Sequence, residues 1–501
     1  MNAPATHQEI EYKFRIPQHL ALDVSQLLRD AGLTFTQEAT RSMQAHYYDT
    51  PRLSLLRWGV TLRRRTGGGD DGWHMKLPQW SNTSTSTRDE LRIERDDASV
   101  PFELTAIIAP LLRRQDLELM AEVRTEREPF TIKNSQGESL VEVVDDHVAV
   151  HREGSVVSFR EVEVELLDGS PDAITAAHEV CARVQSAGGE PSSVSKAAQA
   201  LGKHAGEPPD VPLIDHPDPS GVAVDALQAI FSGYVRALLL ADVDMRRGIP
   251  DSVHQMRVAC RRLRSALKTF RPILDADAVT FLREELAWLA TELGEVRDTE
   301  VQLQALALAI EDEGARSFVT ETLNAKMRAA QSSALAAVRS DRHDFLLEDL
   351  IILVTEPPVS AAAFDVADST IHRCVRRTWR KLSRSVSATT AKSPADDWHR
   401  IRILAKQARY AVEAAAPLFG DDYKRLGKSL AWVTDTLGSK QDAQVSISTL
   451  QEIAQSAPGP VAFQLGVQAA RFANQSGDDV RDFSRRWPRI VEQAHRLGLD
   501  G

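Results

Sequence analysis

The feature that most constrains the fold is an abrupt change in the spacing of apolar residues at a proline-rich segment. Before this segment apolar and polar residues mostly alternate, which is typical of β-strands with one buried face. After it apolar residues recur every three or four positions, which is typical of helices. The segment 206–221 holds five prolines and has neither period. We therefore predict an α+β chain with a β domain over 1–205, a linker over 206–221 and a helical domain over 222–501.

Composition narrows the class of protein. The chain of 501 residues is 43% hydrophobic and 26% charged, values that are ordinary for a globular protein. Its net charge of −11 argues against a surface that is positive throughout, but not against a local basic groove. The three cysteines, Cys181, Cys260 and Cys374, show no CxxC spacing, which excludes a disulfide framework and a cysteine-rich zinc site. With no signal-peptide pattern and no unbroken apolar run of about 18 residues, we expect a cytoplasmic chain without membrane contact.

Charged residues in the β domain follow the strand period. Glu9, Glu11 and Lys13 share one face of the first strand, and Glu163 and Glu165 share one face of a later strand. Other strands carry arginine or lysine in the same way. One interpretation is an ordinary antiparallel sheet whose charged faces meet solvent. The separation of acidic strands from basic strands favours a closed barrel with a polar interior that holds a highly charged ligand together with metal.

The residue types predict the chemistry of such an interior. Arginine and lysine side chains that converge from several strands suit a polyanion. Clustered carboxylates repel one another unless a cation lies between them, and Mg²⁺ and Mn²⁺ prefer oxygen ligands. Together these groups predict a metal–phosphate site for phosphoryl transfer, which depends mainly on positioning and charge stabilisation.

Several motifs in this half resemble those of CYTH domains, the triphosphate tunnel metalloenzymes. Residues 9–13 (EIEYK) resemble the ExExK signature, residues 46–51 (HYYDTP) the YFDTP segment, and residues 59–65 (GVTLRRR) the G-x-x-LRxR strand. Ser195 and Lys196 resemble the late SK motif. The motifs occur in family order across roughly residues 5–203.

The resemblance implies an eight-stranded antiparallel tunnel that hydrolyses or rearranges triphosphates with Mg²⁺ or Mn²⁺. It implies as metal ligands Glu9, Glu11, Asp146, Glu163 and Glu165. It implies as triphosphate-binding residues Lys13, Arg63, Arg65, Lys76, Arg88, Arg127 and Lys196. The candidate catalytic residues are Lys13, Glu90 and Glu142. Two positions depart from the family pattern: Gln199 stands where an arginine is frequent, and Arg124 and Arg127 have opposite parity, so we favour Arg127 as the inward one.

The helical half contains an internal repeat. Residues 253–261 resemble residues 398–406 at an offset of 145, and residues 293–298 resemble residues 437–442 at an offset of 144. The near-constant offset predicts two similar helical bundles, related by a pseudo-twofold axis. In both copies the repeated residues include a stripe of basic residues along one helix face. The first stripe is His254, Arg257, Arg261, Arg264 and Lys268, and the second is His399, Arg402, Lys406 and Arg409.

The basic stripe has two interpretations. It is either a solvated face compensated by acids such as Glu284 and Glu285, or a surface that binds a polyanion. Its recurrence in both copies favours the polyanion, because like charges at this spacing destabilise a helix that has no partner.

The motif of residues 254–270, followed by residues 293–298, resembles the CHAD domain, which often follows CYTH. This resemblance implies a basic channel that binds inorganic polyphosphate. The implied polyphosphate-binding residues are His254, Arg257, Arg261, Arg264, Arg297, Arg376, Arg380, His399, Arg402, Lys406 and Arg409. Gln441, where the first copy has Arg297, departs from the pattern.

Our leading hypothesis is a cytoplasmic phosphohydrolase that cleaves inorganic triphosphate in the tunnel and binds inorganic polyphosphate through the helices, with association to polyphosphate granules. One alternative is a non-catalytic polyphosphate-binding protein. Another is a tunnel enzyme that acts on thiamine or nucleoside triphosphate, or that cyclises ATP. We do not expect nucleic-acid binding, because the basic helices lack an aromatic platform. The sequence leaves the oligomeric state open.

Overall fold

The chain forms two compact units, residues 1–209 and 210–501. The computed structural model describes residues 5–80, 88–95, 97–152, 155–474 and 479–500. Within these ranges the side chains of residues 5–9, 203–204 and 439–441 lie outside the description, so the predicted ligand Glu9 and the departure at Gln441 are not described.

The first unit is a single antiparallel sheet with five short helices. Its strands are β1 Ala5–Glu9, β2 Glu11–Ile16, β3 Phe35–Gln37, β4 Arg41–Asp49, β5 Thr61–Thr66, β6 Gly72–Pro78, β7 Arg88–Ile93, β8 Glu118–Lys133, β9 Ser139–Arg152, β10 Ser155–Leu166 and β11 Glu190–Pro191. Its helices are α1 Val24–Asp30, α2 Ser54–Arg57, α3 Phe102–Leu112, α4 Pro171–Ser186 and α5 Lys196–Leu201.

The sheet is closed by one bent strand. Its order is β1-β7-β6-β5-β4-β8-β9-β10-β2-β11, with β3 beside β8. β1 and β2 lie near opposite ends of this order, yet only Ile10 separates them in the chain. The sheet therefore closes into a barrel. We expected eight strands; the described residues form eleven, because the first strand is split at Ile10 and the short β3 and β11 are added.

The inner face of the barrel is charged at one end and apolar at the other. On β9 the residues that share a face are Glu142 and Asp146, followed by the buried Val148 and Val150. The two valines pack with Ala200 and other apolar residues of α5. The helix thus fills the apolar end and leaves the charged end open.

In its described residues the second unit consists of helices and their connections, with two isolated β-bridges. Its helices are α6 Ala223–Arg246, α7 Ser252–Phe270, α8 Ala276–Glu292, α9 Gly294–Ala309, α10 Glu313–Val338, α11 Asp341–Thr355, α12 Ala367–Ser387, α13 Ala395–Phe419, α14 Asp421–Thr436, α15 Ser439–Ala454, α16 Gly459–Asn474 and α17 Asp479–Arg496.

The described helices of this unit form two successive sets of six, α6–α11 and α12–α17. Equivalent helices meet: α6 packs against α12, and α7 packs against α13. At their starts Val222 and Val366, 144 residues apart, form an antiparallel bridge. Contacts between equivalent elements are those that a twofold relation produces.

One described helix, α6, is apolar and long enough to cross a membrane by length and composition. Charged residues such as Asp225 and Arg236 interrupt its apolar sequence, so the helix contains no unbroken apolar run of about 18 residues. In this unit 56% of its most apolar window is buried, and it packs against α7, α11 and α12. A buried core helix of a globular protein can have the same length and apolar composition.

Candidate functional site

The charged end of the barrel encloses a cavity of about 420 Å³. It is lined by the basic residues Lys13, Arg41, Arg63, Arg65, Lys76, Arg88, Arg92, Arg127 and Lys196, and by the acidic residues Glu11, Asp70, Glu90, Glu142, Glu163 and Glu165. Nine basic against six acidic side chains give the lining a positive excess, which favours an anionic ligand. The volume is that of a small-molecule site.

Lys196 lies among three buried carboxylates. Its ammonium nitrogen is 2.6 Å from Glu161 Oε1, 2.7 Å from Asp146 Oδ2 and 3.0 Å from Glu163 Oε1. Carboxylate oxygens of the three acids all lie within 4.8 Å of one another. A cluster of oxygen donors this tight suits a hard divalent cation, so the residues fit Mg²⁺ or Mn²⁺.

Helix α5 explains the position of Lys196. The side chain of Ser195 caps the helix by accepting a hydrogen bond from the Ala198 amide at 3.1 Å. Ala197 and Leu201 pack into the apolar end of the barrel. Lys196 is the first residue of this helix. Because the helix packs on the apolar residues of the barrel, the ammonium group of Lys196 reaches the charged end.

Arg127 and Lys13 complete the charge network. Arg127 donates two hydrogen bonds to Asp146, from Nε at 2.8 Å and from Nη2 at 2.6 Å, and Nη2 also lies 3.0 Å from Glu163. The ammonium of Lys13 is 2.8 Å from Glu163 and 3.3 Å from Glu11. Glu163 is thus contacted by three cations from three different elements.

The pKa values of the acids in and beside this network are shifted in opposite directions. Burial alone would raise the pKa of Glu163, but Lys13, Lys196 and Arg127 hold it well below its usual value. The pKa of Asp146 is lowered in the same way by Lys196 and Arg127. Burial raises the pKa of Glu161 and of Glu142 despite nearby cations. The cluster therefore combines ionised carboxylates with carboxyl groups that can take up a proton.

A second charged group lies on β5–β7 around Glu90, whose side chain is 1% exposed. Glu90 Oε1 is 3.1 Å from His74 Nδ1, and Oε2 accepts a hydrogen bond from Arg92 Nε at 2.6 Å. Arg63 Nη2 lies 3.7 Å from Glu90, and Arg63 Nη1 donates to the Tyr47 hydroxyl at 3.3 Å. Burial would raise the pKa of Tyr47, but Arg63, Lys196 and Arg65 together lower it.

The cavity brings together most of the predicted tunnel residues. Those that line it are Glu11, Lys13, Arg63, Arg65, Lys76, Arg88, Glu90, Arg127, Glu142, Glu163, Glu165 and Lys196. Asp146 contacts Arg127 and Lys196 beside the lining. Arg124 is 61% exposed and pairs with Glu122, away from the cavity. Gln199 donates to Glu161 at 3.3 Å.

The predicted site leaves out several residues that line the cavity or, like Glu161, contact a lining residue. Arg92 and Glu161 share the strand parity of predicted residues, so alternation alone was enough to find them. Arg41 begins β4 outside any motif, but it lies opposite Arg127 across the sheet. Asp70 lies in the Gly-rich hairpin between β5 and β6, where it pairs with Arg65.

The helical unit has a separate cavity of about 660 Å³ beside α7. Arg257, Arg261 and Arg264 line it together with residues of α8, α9, α10 and α15. The other predicted polyphosphate residues do not line it: His254, Arg297, Arg376, Arg380, His399, Arg402, Lys406 and Arg409. Three residues of the first basic stripe therefore line this cavity, which is an open groove between helices of both repeats.

Equivalent arginines of the two repeats make related contacts. Arg257 Nη1 donates to the Gly294 carbonyl at 2.8 Å and lies 2.9 Å from Asp298. In the second repeat Arg402 Nη2 lies 3.9 Å from Asp442. A Cβ atom on Gly438 would lie 2.7 Å from Arg402 Nη2, so a side chain at this position would displace the end of the Arg402 guanidinium group.

The two basic stripes approach each other where α7 packs on α13. Burial lowers the pKa of Lys406, and Arg402 and Arg261 lower it further. Arg261 and Lys406 are equivalent residues, so the stripes come together at the contact between the repeats. Burial followed by Arg297 lowers the pKa of His254, which places those two predicted residues together. His399 and Arg380 are exposed, and no described contact joins them to the cavity.

Comparison with known proteins identifies both domains. Residues 7–198 match the CYTH domain and residues 229–451 match the CHAD domain. The chain is 31% identical to an uncharacterized protein of Mycobacterium tuberculosis, Rv2226, over 98% of both sequences. The chain belongs to the CYTH–CHAD family. An uncharacterized protein from M. tuberculosis strain CDC 1551 matches the CYTH–CHAD chain with the same identity and coverage.

Solved structures align with parts of this CYTH–CHAD chain. The CHAD domain from the plant Ricinus communis is 28% identical, with a TM-score of 0.46 over 54% of this chain and 93% of that one. PptA from Streptomyces chartreusis is 21% identical, with a TM-score of 0.44 over 54% of this chain and all of that one. HpAC1 from Hippeastrum, described as a putative adenylyl cyclase with a dominant triphosphatase activity, is 18% identical, with a TM-score of 0.24 over 38% of this chain and 94% of that one.

Proposed function

We propose that the CYTH domain hydrolyses a linear triphosphate, with inorganic triphosphate as the preferred substrate. The observation that carries this proposal is the tunnel lining, in which nine basic side chains surround a buried carboxylate cluster. Each phosphate of a linear triphosphate is charged, so each can contact basic side chains of this lining. Pure polyanion binding has no need for the carboxylates, so their burial beside the basic residues favours an enzyme over a binding module.

The same lining argues against a nucleoside triphosphate. The described apolar or aromatic residues that border the cavity are Met43, Tyr47, Leu167 and Ala197. The Tyr47 hydroxyl accepts a hydrogen bond from Arg63. Among the described lining residues no aromatic surface is available on which a base can stack. Cyclisation of ATP needs such a pocket, because the ribose must be oriented towards the α-phosphate.

In this proposal the divalent cation would be held by Asp146 and Glu163 of the carboxylate cluster and by the predicted ligands Glu9, Glu11 and Glu165, and it would supply charge neutralisation and activation of water. Arg63, Arg65, Lys76 and Arg88 hold the phosphates from β5, β6 and β7. Lys13 and Lys196 exchange their contacts with carboxylates for contacts with phosphate oxygens when substrate binds. Glu142, whose pKa is raised by burial, accepts a proton from the attacking water.

Substrate preference tests the assignment. The purified full-length chain is incubated with inorganic triphosphate, thiamine triphosphate and ATP, with Mg²⁺ or Mn²⁺, and phosphate release is measured. We expect the highest kcat/KM for inorganic triphosphate. A higher value for either organic triphosphate, or formation of cyclic AMP, would reject this substrate.

We further propose that the CHAD domain binds inorganic polyphosphate along the stripes of α7 and α13. The supporting observation is that Arg261 and Arg264 border the 660 Å³ groove without an ion pair to a described acid. Glu285, expected to compensate this face, pairs instead with Arg342 at 2.7 Å. Binding would hold the enzyme at polyphosphate granules.

Binding of long-chain polyphosphate to the full-length chain at physiological salt tests this second proposal. A single-stranded oligonucleotide of similar charge serves as competitor. We expect polyphosphate to bind and the oligonucleotide to compete weakly. Absence of polyphosphate binding would reject the proposal, and equal binding of the oligonucleotide would indicate a general polyanion surface.

A further inference from the structure

The two basic stripes differ in charge at one equivalent position. Lys268 on α7 and Glu413 on α13 are 145 residues apart, which is the offset that relates the other members of the stripes. Every other residue of the first stripe has a histidine or a basic residue as its counterpart. The duplicated surface is therefore symmetric along most of its length and asymmetric at one end.

In the second repeat Glu413 neutralises the end of the stripe. Its Oε1 accepts a hydrogen bond from Arg409 Nε at 2.7 Å, and its Oε2 lies 3.9 Å from Arg262 Nη2. Glu413 thus contacts Arg409 of its own repeat and Arg262 of the other repeat. An anion that follows this stripe meets a carboxylate at its end.

At the corresponding end of the first stripe, neighbouring helices supply three cations, two from the first repeat and one, on α12, from the second. Lys268 lies on α7, which packs against α8 and α12, and these helices supply Arg283 and Lys381. Both lie close enough to Lys268 to lower its pKa, after burial, which is the largest cause. None of the three has an ion pair with a described carboxylate. The Nε atoms of Arg283 and of Arg264, one turn before Lys268, are buried without a described hydrogen-bond partner.

We propose that Lys268, Arg283 and Lys381 form a second anion-binding station, present at the end of the first stripe alone, that engages a polyphosphate chain extending beyond the groove. This inference rests on the proposed polyphosphate binding and adds a direction to it. The chain enters along Arg257, Arg261 and Arg264, and leaves past Lys268.

The distances favour a long linear anion over a small one. Arg257 and Lys268 are separated by about 16 Å along the helix at 1.5 Å per residue. A single phosphate cannot bridge that distance, whereas a polyphosphate chain presents a charge at every unit along it. The three cations come from three helices and the station has no aromatic side chain among them, so it offers charge without a surface on which bases stack.

The test uses the full-length chain in metal-free buffer with chelator, so that the tunnel does not consume the probe. Affinity for long-chain polyphosphate is measured at physiological salt for wild type, Lys268→Glu and Arg283→Ala. Lys428→Glu on α14, also an exposed helical lysine, is the matched control for net charge. Circular dichroism verifies that each variant is folded.

We expect Lys268→Glu to weaken binding about tenfold, because the substitution replaces an attraction by a repulsion, and Arg283→Ala to weaken it less. Lys428→Glu should remain within about twofold of wild type. Binding by Lys268→Glu and Arg283→Ala equal to that of the control overturns the station but leaves the groove intact. Failure of wild type to bind overturns the proposed function itself. An oligonucleotide whose binding is lost in parallel overturns the assignment to polyphosphate.

Discussion

The ammonium of Lys196 lies 2.7 Å from the carboxylate of Asp146, although fifty residues separate them in the sequence. Both are buried, and the same ammonium contacts Glu161 and Glu163. The lysine thus supplies a positive charge at the centre of a carboxylate cluster. A divalent cation and a triphosphate would redistribute these contacts, because the cation binds the carboxylates and the phosphates bind the lysine.

Removing this ammonium should destabilise the CYTH domain. We expect Lys196→Met to lower its free energy of unfolding by about 3 kcal/mol, since it leaves buried carboxylates uncompensated. Urea unfolding measures the loss, and Mn²⁺ should restore part of it by binding the acids. Arg183→Met, which removes an exposed pair with Glu179, is the control and should cost less than about 0.5 kcal/mol. Equal losses in the two variants would contradict the network.

Acid should destabilise the same domain through Glu163. Its folded pKa lies well below its usual value of 4.5, so its contribution to stability is present above about pH 4.5 and is lost as the pH falls further. Glu163→Gln should therefore show a weaker dependence of the unfolding midpoint on pH between pH 5 and pH 3. Parallel pH profiles for wild type and variant would show that Glu163 is not held ionised by its three cations.

Geometry as well as charge should matter at Arg127. Its Nε and Nη2 both bond Asp146, and lysine offers a single point charge instead. We expect Arg127→Lys to reduce kcat/KM for triphosphate about tenfold while the domain stays folded. Arg124→Lys, on the exposed face of the same strand, should leave the rate unchanged. Comparable rates for Arg127→Lys and wild type would remove Arg127 from the site.

Polyphosphate binding should strengthen in mild acid through His254. Burial and Arg297 hold its pKa below 6.5 in the free protein, and a bound polyanion raises it. A group whose pKa rises on binding takes up a proton, so affinity should increase as the pH falls from 7.5 to 5.5. His254→Gln should flatten that dependence, as measured by calorimetry across the range. An unchanged profile in the variant would assign the effect to another group.

The spacing of apolar residues was sufficient to predict the β domain and the helical domain. Each strand or helix buries one face, so its apolar residues recur with the period of that element. The same parity rule predicts the inward direction of Glu11, Lys13 and Glu163, since a strand has only two faces. The repeat offset of 145 likewise identifies α7 and α13 as equivalent helices, but it does not predict that they pack against each other.

Long-range geometry could not be predicted in the same way. The bend at Ile10 depends on which strands meet when the sheet closes, and no residue pattern near it encodes that choice. Lys196 reaches the acids because α5 packs on apolar residues from distant strands, such as Val148 and Val150. Arg41 has no motif, and it was placed only by its cross-strand partner Arg127.

The most direct test of the central claim is phosphate release from inorganic triphosphate by the full-length chain with Mg²⁺ or Mn²⁺, compared with Glu11→Gln. Glu126→Gln, on the exposed face of β8, is the matched control. We predict turnover by wild type and by the control, and a loss of at least about a hundredfold in Glu11→Gln, the range expected when a group essential for positioning charge is removed. Folded wild-type protein that binds metal but releases no phosphate would contradict the account and favour a non-catalytic polyphosphate-binding protein.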